Sequence, residues 1–161
     1  MENCFATGTI KAKEAVGGLV GKCEGELRNC VSYMKVKGKS LVGGLVGNIL
    51  GGAVENCYVG GSVTASGGKA SAGGVAGTFA VATYLRNVAS VIREVSGDEG
   101  ASDIDRLVGT LESESGTNIT NNYIWEGAIL NGNAPVEHPN RSIAQAVSTE
   151  TLMSRSLYEK N

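Results

Sequence analysis

One six-residue motif constrains this chain more than anything else in it, because it recurs. It reads Val16-Gly17-Gly18-Leu19-Val20-Gly21, then Val42-Gly43-Gly44-Leu45-Val46-Gly47, then Ala72-Gly73-Gly74-Val75-Ala76-Gly77. A fourth copy, Ile104-Asp105-Arg106-Leu107-Val108-Gly109, keeps the apolar positions and the last glycine but loses the glycine pair. The final glycines fall at 21, 47, 77 and 109, so successive copies are 26, 30 and 32 residues apart. Self-similarity at a period of about 20–50 residues marks a repeat architecture, in which no unit buries its own apolar face and stacking completes the core.

A second anchor drifts in step with the first. It reads Glu2-Asn3-Cys4-Phe5, Arg28-Asn29-Cys30-Val31, Glu55-Asn56-Cys57-Tyr58, Arg86-Asn87-Val88-Ala89 and Thr120-Asn121-Asn122-Tyr123. Aligned on both anchors, the chain falls into columns: Leu27, Val54, Leu85, Ile119; Cys23, Ile49, Phe79, Leu111; Val16, Val42, Ala72, Ile104; and Leu19, Leu45, Val75, Leu107. After each early Asn the apolar residues alternate, as in Cys30, Ser32, Met34, Val36, the pattern of a strand with one buried face. Lys37-Gly38-Lys39-Ser40 and Ser66-Gly67-Gly68-Lys69 read as turns.

Each repeat holds two or three short strands, and stacking them at about 4.8 Å closes a core. The expected fold is all-β: a β-solenoid, specifically a right-handed parallel β-helix, of about four to five coils with a short C-terminal capping helix. Coils are expected at about 2–27, 28–54, 55–85 and 86–119, with a partial fifth at 120–130. In this reading the asparagines Asn3, Asn29, Asn56, Asn87 and Asn121 stack their amides at one corner, as in cross-β ladders. The glycines Gly21, Gly47, Gly77 and Gly109 let neighbouring backbones approach closely.

The fourth coil breaks pattern, since Glu94 falls where an apolar residue belongs and the acidic connector from Ser96 to Asp103 is longer. A locally irregular strand and a protruding loop are expected there. Residues 131–161 read as a loop containing Pro135 and Pro139, followed by a helix from Thr149 to Tyr158 covering the open end of the solenoid. No N-terminal cap is visible, so the chain is expected to be a slice of a longer array, with end-to-end stacking through the first coil.

The net charge is −2 with no basic block, which removes the electrostatic footprint of a nucleic-acid binder. Glycine, with 24 residues, has about twice its usual share, and the core must be built from small aliphatics because aromatics are scarce. The most apolar window, Ser40 to Val54, is too short to span a bilayer. Nothing at the N-terminus resembles a signal peptide.

The Asn-Cys-Tyr/Phe and Gly-Gly-Leu-Val-Gly anchors resemble bacterial GLUG-motif repeats, found in large secreted or surface-attached proteins, including adhesin-like proteins and some immunoglobulin-A-specific metallopeptidases. The resemblance covers residues 2 to about 130. It implies an extracellular or bacterial cell-surface location and a non-catalytic repeat module whose motif is structural, with no binding residues to carry over.

Candidate chemistry is sparse. Cys4, Cys30 and Cys57 share a column with Val88, and Cys23 shares one with large aliphatics, so all four read as buried free thiols rather than a zinc site or disulfides. Asp98, Glu99, Asp103 and Asp105 could ligate calcium, but they lack the spacing of known calcium loops and read better as a solvated insertion. His138 is the only histidine, which excludes an H-E-x-x-H site within the chain. The glycine pairs lack the Lys-Ser/Thr of a phosphate loop. No cofactor is expected. The leading reading is a rigid, non-enzymatic module presenting a surface to a host glycan or extracellular protein, with Phe5, Tyr33, Tyr58 and Lys35 as the surface residues nearest that role. The runner-up is an accessory region of a secreted metallopeptidase, or a carbohydrate-active β-helix enzyme.

Overall fold

The computed structural model of the chain describes residues 1–80, 83–101, 103–112, 118–132 and 144–154. Coil one runs through β1 (Phe5–Lys11), β2 (Val16–Gly17), β3 (Val20–Cys23) and β4 (Glu26–Arg28). Coil two repeats it as β5 (Val31–Gly38), β6 (Val42–Gly43), β7 (Val46–Ile49) and β8 (Ala53–Glu55). Coil three is β9 (Tyr58–Ala65), β10 (Ser71–Gly73), β11 (Ala76–Phe79) and β12 (Tyr84–Arg86). Coil four is β13 (Ala89–Gly97), β14 (Asp103–Asp105), β15 (Val108–Leu111) and β16 (Asn118–Thr120). Each coil therefore has one long and three short strands, where the sequence suggested two or three. The extra one arises because each half of the six-residue motif pairs separately on either side of its glycine corner.

Like strands stack in parallel into four sheets: β1-β5-β9-β13 continuing to the C-terminal strands, β2-β6-β10-β14, β3-β7-β11-β15 and β4-β8-β12-β16. The chain is thus a β-solenoid of about four turns. The register reproduces the sequence columns, with Val16, Val42, Ala72 and Ile104 opposite one another. Cys23, Ile49, Phe79 and Leu111 do the same, as do Leu27, Val54, Leu85 and Ile119. A one-residue slip would turn every buried side chain outward, so the apolar columns themselves fix the pairing.

The core is a single cluster along the solenoid axis, in which Leu27, Leu45, Ile49, Val54, Phe79, Leu85, Ile92 and Leu107 are fully or almost fully buried. Each such side chain contributes about 1.5–3 kcal/mol once a neighbouring coil covers it. The one polar side chain fully buried on the inward side of β5, Ser32, donates to the carbonyl of Gly44 at 2.6 Å, which satisfies the corner from inside.

Two departures in coil four have physical causes. Ile92 pairs with Gly61 but Glu94 pairs with Ser62, so Arg93 is an extra residue in a β-bulge. The bulge turns Glu94 outward and returns Val95 to the core opposite Val63. The irregular strand expected from Glu94 is therefore present. No protruding loop is seen among the described residues: β13 extends to Gly97 and β14 begins at Asp103, so the two strands are separated by as many residues as β9, ending at Ala65, and β10, beginning at Ser71. Ser96 and Gly97 stay paired with Thr64 and Ala65.

Beyond coil four, β17 (Tyr123–Trp125) and β18 (Ile129–Leu130) both pair with β13, and β19 (Gln145–Val147) pairs with β17. A helix, α1 (Thr149–Met153), follows and ends at Ser154, an extended C-cap, short of the expected Tyr158; residues 155–158 lie outside the described residues, as do His138 and both prolines. Ser148 caps α1 by accepting from the Thr151 N–H at 3.3 Å, and Glu150 sits in its first turn. The helix does not close the end of the core among the described residues. Its buried Leu152 packs with Ala89 and Val147 and against Tyr58, Val91, Tyr123 and Trp125. Strand alternation places these on the outer side of the long-strand sheet, opposite Val59, Ile92 and Ile124 of the core. Tyr58 on β9 and Tyr123 and Trp125 on β17, with Ala89 and Val91 of β13 between them, create an apolar patch there, and the helix lies on that patch instead.

Candidate functional site

The asparagine anchors are all corners. Asn3, Asn29, Asn56, Asn87 and Asn121 have φ of 54°, 53°, 53°, 56° and 53°, the left-handed conformation that Asn tolerates better than other side-chain-bearing residues. Each of the first four donates its backbone N–H to the next coil's residue before the Asn, as in Asn29 to the Glu55 carbonyl at 3.1 Å. The amides form a ladder: Asn87 Nδ2 donates to Asn56 Oδ1 at 3.0 Å, Asn56 to Asn29 at 3.3 Å, and Asn29 to the Glu2 carboxylate at 3.2 Å. The ladder stops at Asn87, whose Oδ1 is buried without a partner. In the last rung the neighbouring Asn122 does the bonding, accepting from the Val88 N–H and donating to the Leu85 carbonyl.

A column missed in the sequence lies beside that ladder. Glu2, Arg28, Glu55 and Arg86 precede the asparagines and alternate in charge up the stack. The buried carboxylate of Glu55 pairs with Arg28 at 3.0 Å on one side and with Arg86 on the other. Arg28 also reaches Glu26 at 3.0 Å, and the Arg86 guanidinium lies 5.3 Å from the Tyr84 ring. The signal was present in the anchors as Glu-Asn, Arg-Asn, Glu-Asn, Arg-Asn.

The cysteines sit as the columns imply, all free, with Cys23, Cys30 and Cys57 buried and Cys4 half-buried. Cys4, Cys30 and Cys57 each donate the S–H to the carbonyl two residues earlier, at 3.3, 3.0 and 3.1 Å. Burial pushes the Cys57 thiol up from 9.0 to about 12, so it is an inert, protonated part of the core. The acidic candidates do not converge. Asp98 and Glu99 are exposed in the connector, while one Asp105 oxygen accepts from the Leu107 N–H at 2.8 Å. Among the described residues no group of three or more His, Cys, Asp or Glu side chains is placed to share a metal ion.

Surface chemistry collects on the outer side of the long-strand sheet. Alternation along β5 turns Tyr33, Lys35 and Lys37 outward, all exposed. Opposite Tyr33 and Lys35 on β9 stand Gly60 and Ser62, and the Tyr33 ring lies against Gly60, where a Cβ would sit 2.5 Å from Cδ2. The bulge in β13 brings out Arg93 and Glu94. Trp125 lies over Gly127, with a Cβ there only 2.5 Å from Cζ2, and donates its indole N–H to Thr149 Oγ1 at 3.0 Å. Gly8 and Gly61, at φ of 130° and 101°, both face Met34 in register and bend their strands at the same level.

The result is a groove of about 690 Å³ lined by Thr7, Thr9, Tyr33, Lys35, Ser62, Arg93, Glu94, Trp125 and Ile129. Of the surface residues singled out in the sequence, the groove takes Tyr33 and Lys35. Phe5 is exposed outside it, and Tyr58 is half-buried against α1. Arg93 and Trp125 escaped notice because neither belongs to a column. Their cues were the mismatch at Glu94 and a lone tryptophan two residues after Tyr123 on an alternating strand.

Comparison with known proteins adds one match. No curated protein and no solved structure matches the chain. The family model described as the GLUG motif matches residues 38–64, from the end of β5 to β9, which takes in one glycine-pair corner and one asparagine corner. With those two corners repeated in register from coil to coil, the chain is a β-solenoid that carries the GLUG motif.

Proposed function

We propose that the chain is a non-catalytic structural module of a secreted or cell-surface bacterial protein, presenting a binding surface for an extracellular glycan or protein. The observation that carries this reading is the groove on the outer sheet. Repeat solenoids stand rigidly because every coil is bonded to its neighbours, while binding residues lie on the exposed faces that stacking leaves over. Here that face offers two flat aromatic rings, each held down on a glycine, beside Lys35, Arg93 and Glu94. Flat rings with a few polar groups are the usual makings of a recognition surface.

The test is to screen the purified chain against glycan and extracellular-matrix protein arrays while assaying the same ligands for cleavage. Binding without turnover, weakened by Tyr33→Ala, is the expected result. Turnover by the isolated chain would overturn the non-catalytic reading, and the absence of any ligand would overturn the binding role.

A further inference from the structure

We infer that the groove is built for an acidic polysaccharide segment, one whose sugars carry carboxylate or sulfate groups; the inference rests on the binding-module reading above and names its ligand class. The observation behind it is a concentration of like charge that folding does not explain. Lys11 and Lys37 stand directly opposite each other in register on β1 and β5, on the same outer side as Lys35. The connectors that follow are joined by a bond from the Lys39 N–H to the Lys13 carbonyl at 2.9 Å, which adds two more cations at that edge. All five lysines are exposed. The ion pairs among the described residues involve Arg28 and Arg86 with Glu26 and Glu55, and none of these lysines.

Like charges opposite one another weaken a sheet, and here they gather in a chain whose net charge is −2. Four acids lie nearby: Glu14, exposed in the first connector; Glu94, in the groove across Ser62 from Lys35; and Asp98 and Glu99, exposed in the connector that stacks two coils beyond Lys39. They do not balance five lysines and Arg93. An anionic ligand would.

The aromatic rings turn an anion into an anionic sugar chain. Tyr33 belongs to the second rung. Trp125, two residues past the Tyr123 that pairs with Ala89, belongs to the fifth. Three rung spacings separate them by about 14 Å, a span for an oligosaccharide rather than a single sugar. Each ring is laid flat on glycine, so its face is offered to the apolar side of a sugar ring, while Lys35 beside Tyr33 on its rung and Arg93 on the rung before Trp125 meet acidic substituents. An acidic peptide would satisfy the lysines but has no use for two flat rings at this separation.

Calorimetric titration of the whole chain tests this with an oligogalacturonate, a dextran sulfate oligomer, a neutral maltodextrin of the same length and polyglutamate. Binding of either acidic glycan, with affinity falling steeply as salt is raised, is the expected outcome, and the tighter of the two identifies the acidic group. Tyr33→Ala and the Lys35→Gln/Arg93→Gln pair should each weaken it about tenfold, and only the charge variant should flatten the salt dependence. Phe5→Ala, outside the groove, should leave affinity unchanged, and an unaltered far-ultraviolet dichroism spectrum confirms that each variant is folded. Maltodextrin binding as tightly as the acidic glycans, or polyglutamate matching them, overturns the acidic-glycan inference and leaves the binding-module reading standing. Failure of all four ligands here and of the array screen removes both.

Discussion

The glycine pair of the first three motifs and its replacement in the fourth, Asp105-Arg106, show what the motif is for. A Cβ on Gly18, Gly44 or Gly74 would run into the backbone carbonyl of its counterpart one coil further on, namely Gly44, Gly74 or Arg106. Arg106 itself meets no such carbonyl, because β14, β15 and β16 are the last strands of their sheets among the described residues. The final glycine obeys the opposite rule. A Cβ on Gly47, Gly77 or Gly109 would sit 2.5, 2.5 or 2.7 Å from the backbone N of Val16, Val42 or Ala72 in the coil before. Among the described residues coil four has a predecessor and no successor over this corner, so it keeps the last glycine and is free to carry Arg106 at the second position of the pair. The first position, where a Cβ would also meet the carbonyl of Val20, Val46 or Ala76 in its own coil, falls outside this rule. What looks like decay in the sequence marks the edge of the stack.

That contrast gives the largest expected effect. Gly44→Ala should destabilise the chain by about 3–4 kcal/mol, since the obstructing atoms are backbone of the adjacent coil and cannot rotate away. Arg106→Ala, at the equivalent position, should stay within about 0.5 kcal/mol. Urea denaturation of both variants measures the difference. Equal losses would mean that the pair serves its own turn rather than its neighbour.

The asparagine corners repeat the comparison at lower stakes. Asn56→Ala removes a bond to each adjacent coil and forces alanine into the left-handed region, for about 2–3 kcal/mol in total. Asn121→Ala should cost only the conformational part, about 1–2 kcal/mol, because Asn87 Oδ1 takes no bond from it. Asn56→Gly relieves the backbone and isolates the ladder, so it should fall between wild type and Asn56→Ala in thermal unfolding. Next in size is Glu55→Gln, which leaves Arg28 and Arg86 facing an uncharged amide. Both arginines are roughly half exposed, so the loss is expected at about 1–2 kcal/mol rather than the full cost of a buried pair, and high salt should shrink it.

Most of the scaffold was legible because parallel in-register stacking puts identical columns of sequence at identical places in space. Leu27, Val54, Leu85 and Ile119 could be aligned on paper and then found side by side in the sheet. The strand irregularity at Glu94 was legible for the same reason, as a mismatch within a column. The groove was not, since it draws Tyr33, Arg93 and Trp125 from three inequivalent rungs, and a binding surface has no reason to repeat. The resting place of α1 was equally hidden. It depends on Tyr58, Tyr123 and Trp125 forming one outer patch, which only the fold brings together. The alternating Glu2, Arg28, Glu55 and Arg86 column was readable, but its meaning required knowing that these residues stack.

The smallest effect near neutral pH comes from the cysteine column, and it appears only in alkali. Val88 occupies in coil four the place that Cys57 holds in coil three, and both are buried. Because burial raises the Cys57 thiol to about 12, the folded chain keeps that proton while the unfolded chain, near 9.0, gives it up. The native state then binds more protons than the unfolded state, so the contribution is complete below about pH 9 and is lost as pH rises from there through about 12. Cys57→Val should change stability by less than about 1 kcal/mol at pH 7, as befits a small buried hydrophobe, and should remove part of the alkaline decline. Urea midpoints of the two proteins, compared between neutral and strongly alkaline pH, should diverge in alkali, with Cys57→Val the more stable, if the raised thiol drives the decline. Parallel curves would show that the Cys57 thiol does not drive the decline.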